Sequence, residues 1–213
     1  MRNKPIYILG AGGHAKVLLE SLLQDTQCPI AGFLEIEKNL IGKIIGGFQI
    51  FNQQEILEKF ISSEINLVNG IGSIDKPLLR GSVFEQLKTA GFCFQTILHS
   101  HAYCSKDVVL REGVQLMARS TVLTGVKIGA NSIVNTSASI DHDCRIGQHV
   151  HIAPGVILCG EVTIGDYCHI GVGAKIVQGI TIGAGSVVGA GAVVISNLPA
   201  GSRVAGVPAK SLV

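Results

Sequence analysis

From Val108 to Asn197 the chain divides without a gap into fifteen six-residue segments in one phase, from VVLREG to AVVISN. The third position is aliphatic every time: Leu110, Leu116, Val122, Ile128, Val134, Ile140, Ile146, Ile152, Leu158, Ile164, Ile170, Ile176, Ile182, Val188 and Val194. The first position holds only Val, Ile, Ala, Ser or Cys, and the fourth is Gly in six segments. An amphipathic helix would repeat near 3.6 residues, and ordinary hairpins would drift in phase. A strict six-residue period marks a parallel β-helix, in which three segments make one triangular coil of about 18 residues. Five coils follow, and "TILHSH" and "AYCSKD" keep the phase upstream, so the prism is expected to begin near residue 96. The third column fills the core. The first column points inward where the chain turns and must be small, so Cys144 and Cys168 read as small buried hydrophobes. The tail after Asn197 leaves the repeat and is expected to cover an end or a face.

Residues 1–95 follow another rule. "PIYILGAGGHAKVLLESLLQ" is a short apolar strand, a glycine turn and an amphipathic helix; "PIAGFLE" is a second strand; "QEILEKFI" is helical; "INLVNGIGS" is a strand entering a loop; "KPLLRGSVFEQLKTAG" is a helix. This alternation predicts a small Rossmann-like α/β domain with a parallel sheet, followed by the β-helix domain over 96–213. Gly10-Ala11-Gly12-Gly13-His14-Ala15 fits G-x-G-x-x-G/A between strand and helix, and Glu35 ends the second strand twenty residues on. Such a turn brings backbone N–H groups and a helix N-terminus to a phosphate. A half-size sheet suits a nucleoside diphosphate, as in a UDP-sugar, better than NAD; a turn needed only for packing is the remaining reading.

Composition removes several classes. The formal net charge is +2 and no basic run occurs, which argues against nucleic acid or an anionic membrane as partner. Only four apolar residues precede the first glycine, too few for a signal peptide, and no apolar run is long enough to cross a membrane. Six cysteines without a C-x-x-C pair read as reduced thiols, so a cytoplasmic protein is expected.

In the 18-residue coil, residues 18 apart stack about 4.8 Å from one another. His142 falls beneath Gly160, Asp143 beneath Glu161, and His151 beneath His169. His142 is in a fifth column and His151 in a second, so both are expected to point away from the core. In "ASIDHD" a histidine with an adjacent carboxylate is the minimum for a general base, and a backbone N–H at Gly160 could face an oxyanion. An exposed surface histidine is the plain alternative, and incidental stacking is the alternative for His151. His149, His151 and His169 could also be three metal ligands, but no acid or Cys completes the set, and no metal is expected. His99 and His101 read as structural or interfacial.

The motifs "YILGAGGHAKV", "NTSASIDHDC", "HVHIAPG" and "GVPAK", with the uninterrupted hexads, resemble the NeuD/PglD-type sugar acetyltransferases of the hexapeptide-repeat acyltransferase superfamily. The resemblance spans essentially the whole chain. It implies a left-handed β-helix, acetyl-CoA as co-substrate, a sugar or nucleotide-sugar acceptor, and a homotrimer with acetyl-CoA between neighbouring prisms. By that likeness His142 is the catalytic base and Asp143 its supporting carboxylate. Asp is one methylene shorter than the family's frequent Glu, so direct contact and a water bridge are both open. His151, Gly160, Val172 and Ala190 match positions along the acetyl-CoA groove. Asn135 matches an acceptor-site residue. Gly12, Gly13, His14, Glu35, Ile36, Gly72 and Ser73 match the nucleotide-sugar loops. Lys175, Arg203 and Lys210 are candidates for the CoA phosphates. The implied activity is N-acetylation of a UDP-linked 4-amino sugar. O-acetylation of a sialic-acid-like sugar and a non-catalytic nucleotide-sugar-binding trimer are the alternatives.

Overall fold

A computed structural model of the chain describes residues 4–24, 29–72 and 77–212. Two compact units divide it, Met1–Ile97 and Leu98–Val213, two residues past the boundary expected from the repeat phase. Ser73 and Cys28 lie outside the described residues.

The first unit is a six-stranded sheet with helices. Its elements are β1 (Ile6–Leu9), α1 (Gly13–Leu23), β2 (Ile30–Glu35), β3 (Ile44–Ile45), β4 (Phe48–Asn52), α2 (Gln53–Lys59), β5 (Asn66–Asn69), α3 (Pro77–Thr89) and β6 (Cys93–Phe94). The sheet order is β3-β4-β2-β1-β5-β6. All four residues of β1 are buried, as a central strand covered on both faces requires. Pairing is parallel throughout except between β3 and β4, a hairpin turning at Gly46-Gly47 that the sequence reading missed. Asn52 caps α2, its side-chain oxygen accepting the Gln54 and Glu55 N–H groups. Gly12 caps α1 with no side-chain bond.

The second unit is a left-handed parallel β-helix. Each of the fifteen hexads contributes a two-residue strand at its second and third positions, from Val109–Leu110 to Val193–Val194. Strands pair in parallel with the strand 18 residues on, as Ile133 with His151 and Ser139 with Ile157. Fourteen of the fifteen third-column side chains are buried, Leu110 in the first hexad being half-buried. First-column polar groups bond across the turn: Ser132 Oγ donates to the Gly147 carbonyl, and the Cys144 and Cys168 thiols donate to the Cys159 and Gly183 carbonyls.

The sixth column carries the corners. From Gly113 to Gly191 every sixth-column residue has a positive φ, seven of them glycine and seven not. The non-glycines include Asn131, Asp143, His149, Glu161 and Tyr167, each with φ between 57 and 61°, the left-handed turn that the corner requires. Leu198 bridges to Ile182, Arg203–Ala205 extends one face in parallel, and Lys210–Ser211 folds back antiparallel. The tail thus closes the last coil, with Val204 buried.

Candidate active site

In the first unit, a cavity of about 270 Å³ opens at the carboxyl ends of the strands. Gly12, Glu35, Ile36 and Gly72, all singled out by sequence, line it. Gly13 and His14 open α1 and do not line the cavity. Gly10, Ala11, Gln53, Gly70, Ile71, Leu79 and Val83 line it as well. Of these, Gln53, Leu79 and Val83 were missed. The rule that α/β ligands bind outside the strand carboxyl ends would have pointed to α2 and α3, which follow β4 and β5. The carboxylate of Glu35 is engaged by the backbone. One oxygen accepts the Ala11 N–H at 3.1 Å, and the other accepts the Ile36 N–H at 2.9 Å and the Glu37 N–H at 3.4 Å. Glu35 therefore ties the glycine turn to the end of β2.

In the prism, Ser139–Ile140 leads into a corner made by Asp141, His142 and Asp143. Asp141 accepts the His142 backbone N–H at 2.7 Å, which gives a task to the acid that sequence left without one. Asp143 sits at φ 59° with its N–H on the Thr124 carbonyl. That turn brings its carboxylate to the His142 Nδ1 at 2.9 Å, a direct contact. A carboxylate only accepts, so Nδ1 carries the proton and Nε2 presents a lone pair. The bond to Asp143 raises the His142 pKa above its ordinary value, with the charges of Asp141, Asp143 and Glu161 adding to it against desolvation. Gly160 follows Ile157–Leu158 one coil on. A Cβ there would overlap Nε2 and Cε1 of the His142 ring, so the absent side chain is what admits the imidazole.

His151 is placed differently from expectation. Its second-column position faces away from the aliphatic core, yet it is only 5% exposed, with Gln115 and Ile133 of the same face also buried. Asn135 Nδ2 lies 3.1 Å from His151 Nε2, while Asn135 Oδ1 accepts the Thr136 N–H at 2.8 Å. The occupied oxygen fixes the amide, so the amide donates and His151 Nε2 accepts. His169 packs edge-on against His151 at 5.0 Å, its Nδ1 buried without a partner, and burial lowers its pKa. His149 does not join them. It occupies a corner, bonded to Asn131 and stacked on Tyr167 at 4.5 Å. Among the described residues no three His, Cys, Asp or Glu side chains converge on a point that could hold a metal.

Val172 and Ala190 are exposed and stack 18 residues apart at the corner that follows the His151 face. Asn135 and His151 belong with them. His142, Asp143 and Gly160 form a separate corner, one hexad or a third of a coil on. One chain therefore brings its site residues into two groups, not one. Arg203 and Lys210 lie on the tail strands, and exposed Lys175 lies on another face.

Comparison with known proteins places this geometry. Residues 5–87 match the PglD N-terminal domain, residues 143–177 the bacterial transferase hexapeptide (six repeats), and residues 161–196 the hexapeptide repeat of succinyl-transferase. The acetyltransferase domain of PglB from Neisseria gonorrhoeae FA1090, also solved with acetyl coenzyme A, superposes with a TM-score of 0.92 at 33% identity, covering 99% of this chain and 100% of that one. PerB from Caulobacter crescentus, in complex with CoA and GDP-perosamine, gives 0.89 at 34% identity over 98% and 97%. The GDP-perosamine N-acetyltransferase of Escherichia coli O157:H7 is 30% identical over 160 residues, 73% of this chain and 70% of that protein. The chain spans only a third of the Agrobacterium fabrum acyl-[acyl-carrier-protein]–UDP-N-acetylglucosamine O-acyltransferase, at 30% identity over 89 residues. With a PglD N-terminal domain followed by hexapeptide repeats, and relatives at 30% identity or more of which it covers two thirds or more, the chain belongs to the PglD-type, acetyl-CoA-dependent sugar N-acetyltransferases of the hexapeptide-repeat superfamily.

Proposed function

We propose that this protein transfers the acetyl group of acetyl-CoA to the amine of a UDP-linked 4-amino sugar, with His142 as general base. One observation carries the reading: the Asp143 carboxylate holds His142 Nδ1 at 2.9 Å, which turns Nε2 toward the backbone of Gly160. The neutral amine attacks the thioester carbonyl, and Nε2 takes the proton as the C–N bond forms. The Asp143 carboxylate stabilises the imidazolium. The Gly160 N–H stabilises the tetrahedral oxyanion. The C–S bond then breaks, and the proton held by His142 passes to the CoA thiolate. No covalent enzyme intermediate is required.

The division of site residues between two sides of the prism supports a homotrimer. Three prisms around a threefold axis form a closed assembly, in which His142 and Asp143 of one copy can meet the His151, Val172 and Ala190 side of the next. Gln53 supports uracil as the base. A primary amide offers an N–H donor and a carbonyl acceptor, the complement of uracil's O4 and N3–H; guanine's O6 and N1–H present the same pair, and its extra N2 amine is what separates the two bases. Guanine's donor edge calls for a carboxylate acceptor, and Glu35 is already bonded to backbone N–H groups. A GDP-linked amino sugar is the second reading, favoured by the GDP-perosamine bound in PerB.

Thiol release from acetyl-CoA, measured with matched UDP- and GDP-linked 4-amino sugars, tests both readings. The expected result is turnover with a kcat/KM preference for the UDP-sugar on the order of tenfold or more. A preference for the GDP-sugar would replace the base assignment, and silence with both would overturn the function.

A further inference from the structure

The wall of the α/β cavity that follows β5 is fastened by a residue that does not touch the cavity. Leu79 and Val83 of α3 line the cavity, whereas Arg80, between them in sequence, is 2% exposed and is the largest fully buried side chain among the described residues. Its Nη1 donates to the carbonyl oxygens of Asn69 at 2.7 Å and Ile71 at 2.8 Å. Asn69 answers in both directions. Its Nδ2 donates to the Arg80 carbonyl at 3.2 Å, and its Oδ1 accepts the Ile71 N–H at 3.2 Å.

Gly70 lies between these anchors and lines the cavity. A Cβ there would come within 2.6 Å of the Leu9 carbonyl oxygen and 2.8 Å of the Ala15 Cβ. Across the cavity Gly10, at φ +80°, faces Ile71 closely enough that a Cβ would sit 3.6 Å from its Cγ1. The segment 69–71 is thus pressed against β1 and α1 on one side and bolted to α3 on the other.

A buried guanidinium is a costly way to fill space; an unbranched apolar side chain would fill it without the desolvation cost. Burial brings the Arg80 pKa down to about 9, which leaves it cationic at neutral pH. What Arg adds over an apolar residue is a planar donor group that fixes two carbonyls of alternate residues at once. It also places a positive charge behind the wall of a cavity suited to a diphosphate.

We propose that Arg80 is a positioning residue for the nucleotide-sugar acceptor: by holding the Asn69 and Ile71 carbonyls it sets the Gly70–Gly72 wall in its binding-competent form. This rests on the cavity being the nucleotide site, as proposed above. The test compares the full-length wild type with Arg80→Met and Arg80→Lys, each checked for native circular dichroism. UDP and GDP binding are followed by calorimetry, and acetyl transfer at varied acceptor and varied acetyl-CoA.

For Arg80→Met the expected result is a rise in nucleotide Kd and acceptor KM on the order of tenfold or more, with saturated kcat and the acetyl-CoA KM within about twofold. Arg80→Lys, which keeps the charge but loses the fixed planar fork, is expected to fall between. Wild-type Kd and KM in a folded Arg80→Met protein would overturn the proposal, as would a fall in kcat at unchanged acceptor KM. Should Arg80→Met fail to fold, Asn69→Ser is read by the same criteria.

Wild-type protein that binds neither UDP nor GDP would instead remove the nucleotide reading. Hydrogen exchange still decides the wall in that case. Arg80→Lys is expected to speed exchange at residues 70–72 while β1 stays protected, and unchanged exchange at 70–72 would sink the claim.

Discussion

His142 and Arg80 are both polar groups on which a binding or reacting surface depends, but they are held in opposite ways. His142 stands at a prism corner, half exposed, and each of its partners is one residue or one coil away: Asp141, Asp143 and Gly160. Arg80 is buried, and its partners come from a different strand and the loop after it, nine to eleven residues away. Repeats place chemistry at corners by counting. The α/β unit places it by long-range packing that no count reveals. If this difference divides the labour, prism variants should change kcat and leave nucleotide binding alone, while variants of the α/β wall should do the reverse.

The strongest break in that comparison comes from His142→Ala. Saturated turnover is expected to fall by roughly 10²–10⁴, with nucleotide and acetyl-CoA affinities unchanged by calorimetry. Near-normal turnover would remove His142 from the chemistry.

Gly160→Ala comes next. The new Cβ would overlap the imidazole and push it off the attack line, so kcat is expected to drop on the order of ten- to a hundredfold. Gly160 is itself buried, but the atoms its new Cβ would meet belong to the half-exposed His142 ring, which can swing outward, so the melting temperature should hardly move; a large thermal loss with normal kcat would mean that Gly160 serves the coil and not the ring.

Asp143→Asn removes the main cause of the raised His142 pKa. The base acts when neutral, so the acid limb of kcat/KM should move to lower pH while the plateau falls about tenfold. An acid limb that stays in place would assign it to another group. The sign for stability is the opposite of the sign for activity. The His142–Asp143 pair favours the folded state fully below the unfolded histidine value near 6.5, and that contribution is lost as pH rises through the higher folded value. The half-buried His169, with its lowered pKa, works the other way, weakening the fold as pH falls below the unfolded value.

The smallest effects come from two first-column serines and test the counting rule itself. Ser132 Oγ donates to the Gly147 carbonyl and accepts the Val150 N–H, so Ser132→Ala should cost about 1–2 kcal/mol. Ser120 Oγ is buried with no partner among the described residues, so Ser120→Ala should be neutral or slightly stabilising. Equal costs in denaturant melts would mean that column position alone, and not the bond, sets the value.

How far the sequence reached follows the same division. The hexad columns anticipated the fifteen strands and their stacking. They also put Gly160 over His142. Column position did not anticipate that His151 is covered, because a column states only whether a side chain points away from the core, not what lies on that face. The G-x-G-x-x-G/A pattern led to Gly12 and Glu35 on the cavity, and the family resemblance to Ile36 and Gly72. It did not lead to Gln53, Leu79 or Val83, which come from helices whose rotation is set by packing. The Gly46-Gly47 hairpin was legible in "IIGGFQIF" and was passed over.

By itself the sequence determined the β-helix, because a six-residue period with one aliphatic column leaves the chain a single way to bury that column. Only the tertiary structure decided what the polar groups do: that Asp143 touches His142, that Glu35 ties down backbone N–H groups, that Asn135 sets the proton on His151, and that Arg80 bolts a wall it never reaches. Hydrogen bonds depend on distances of a few tenths of an ångström between groups far apart in the chain, and spacing along the sequence does not carry that information.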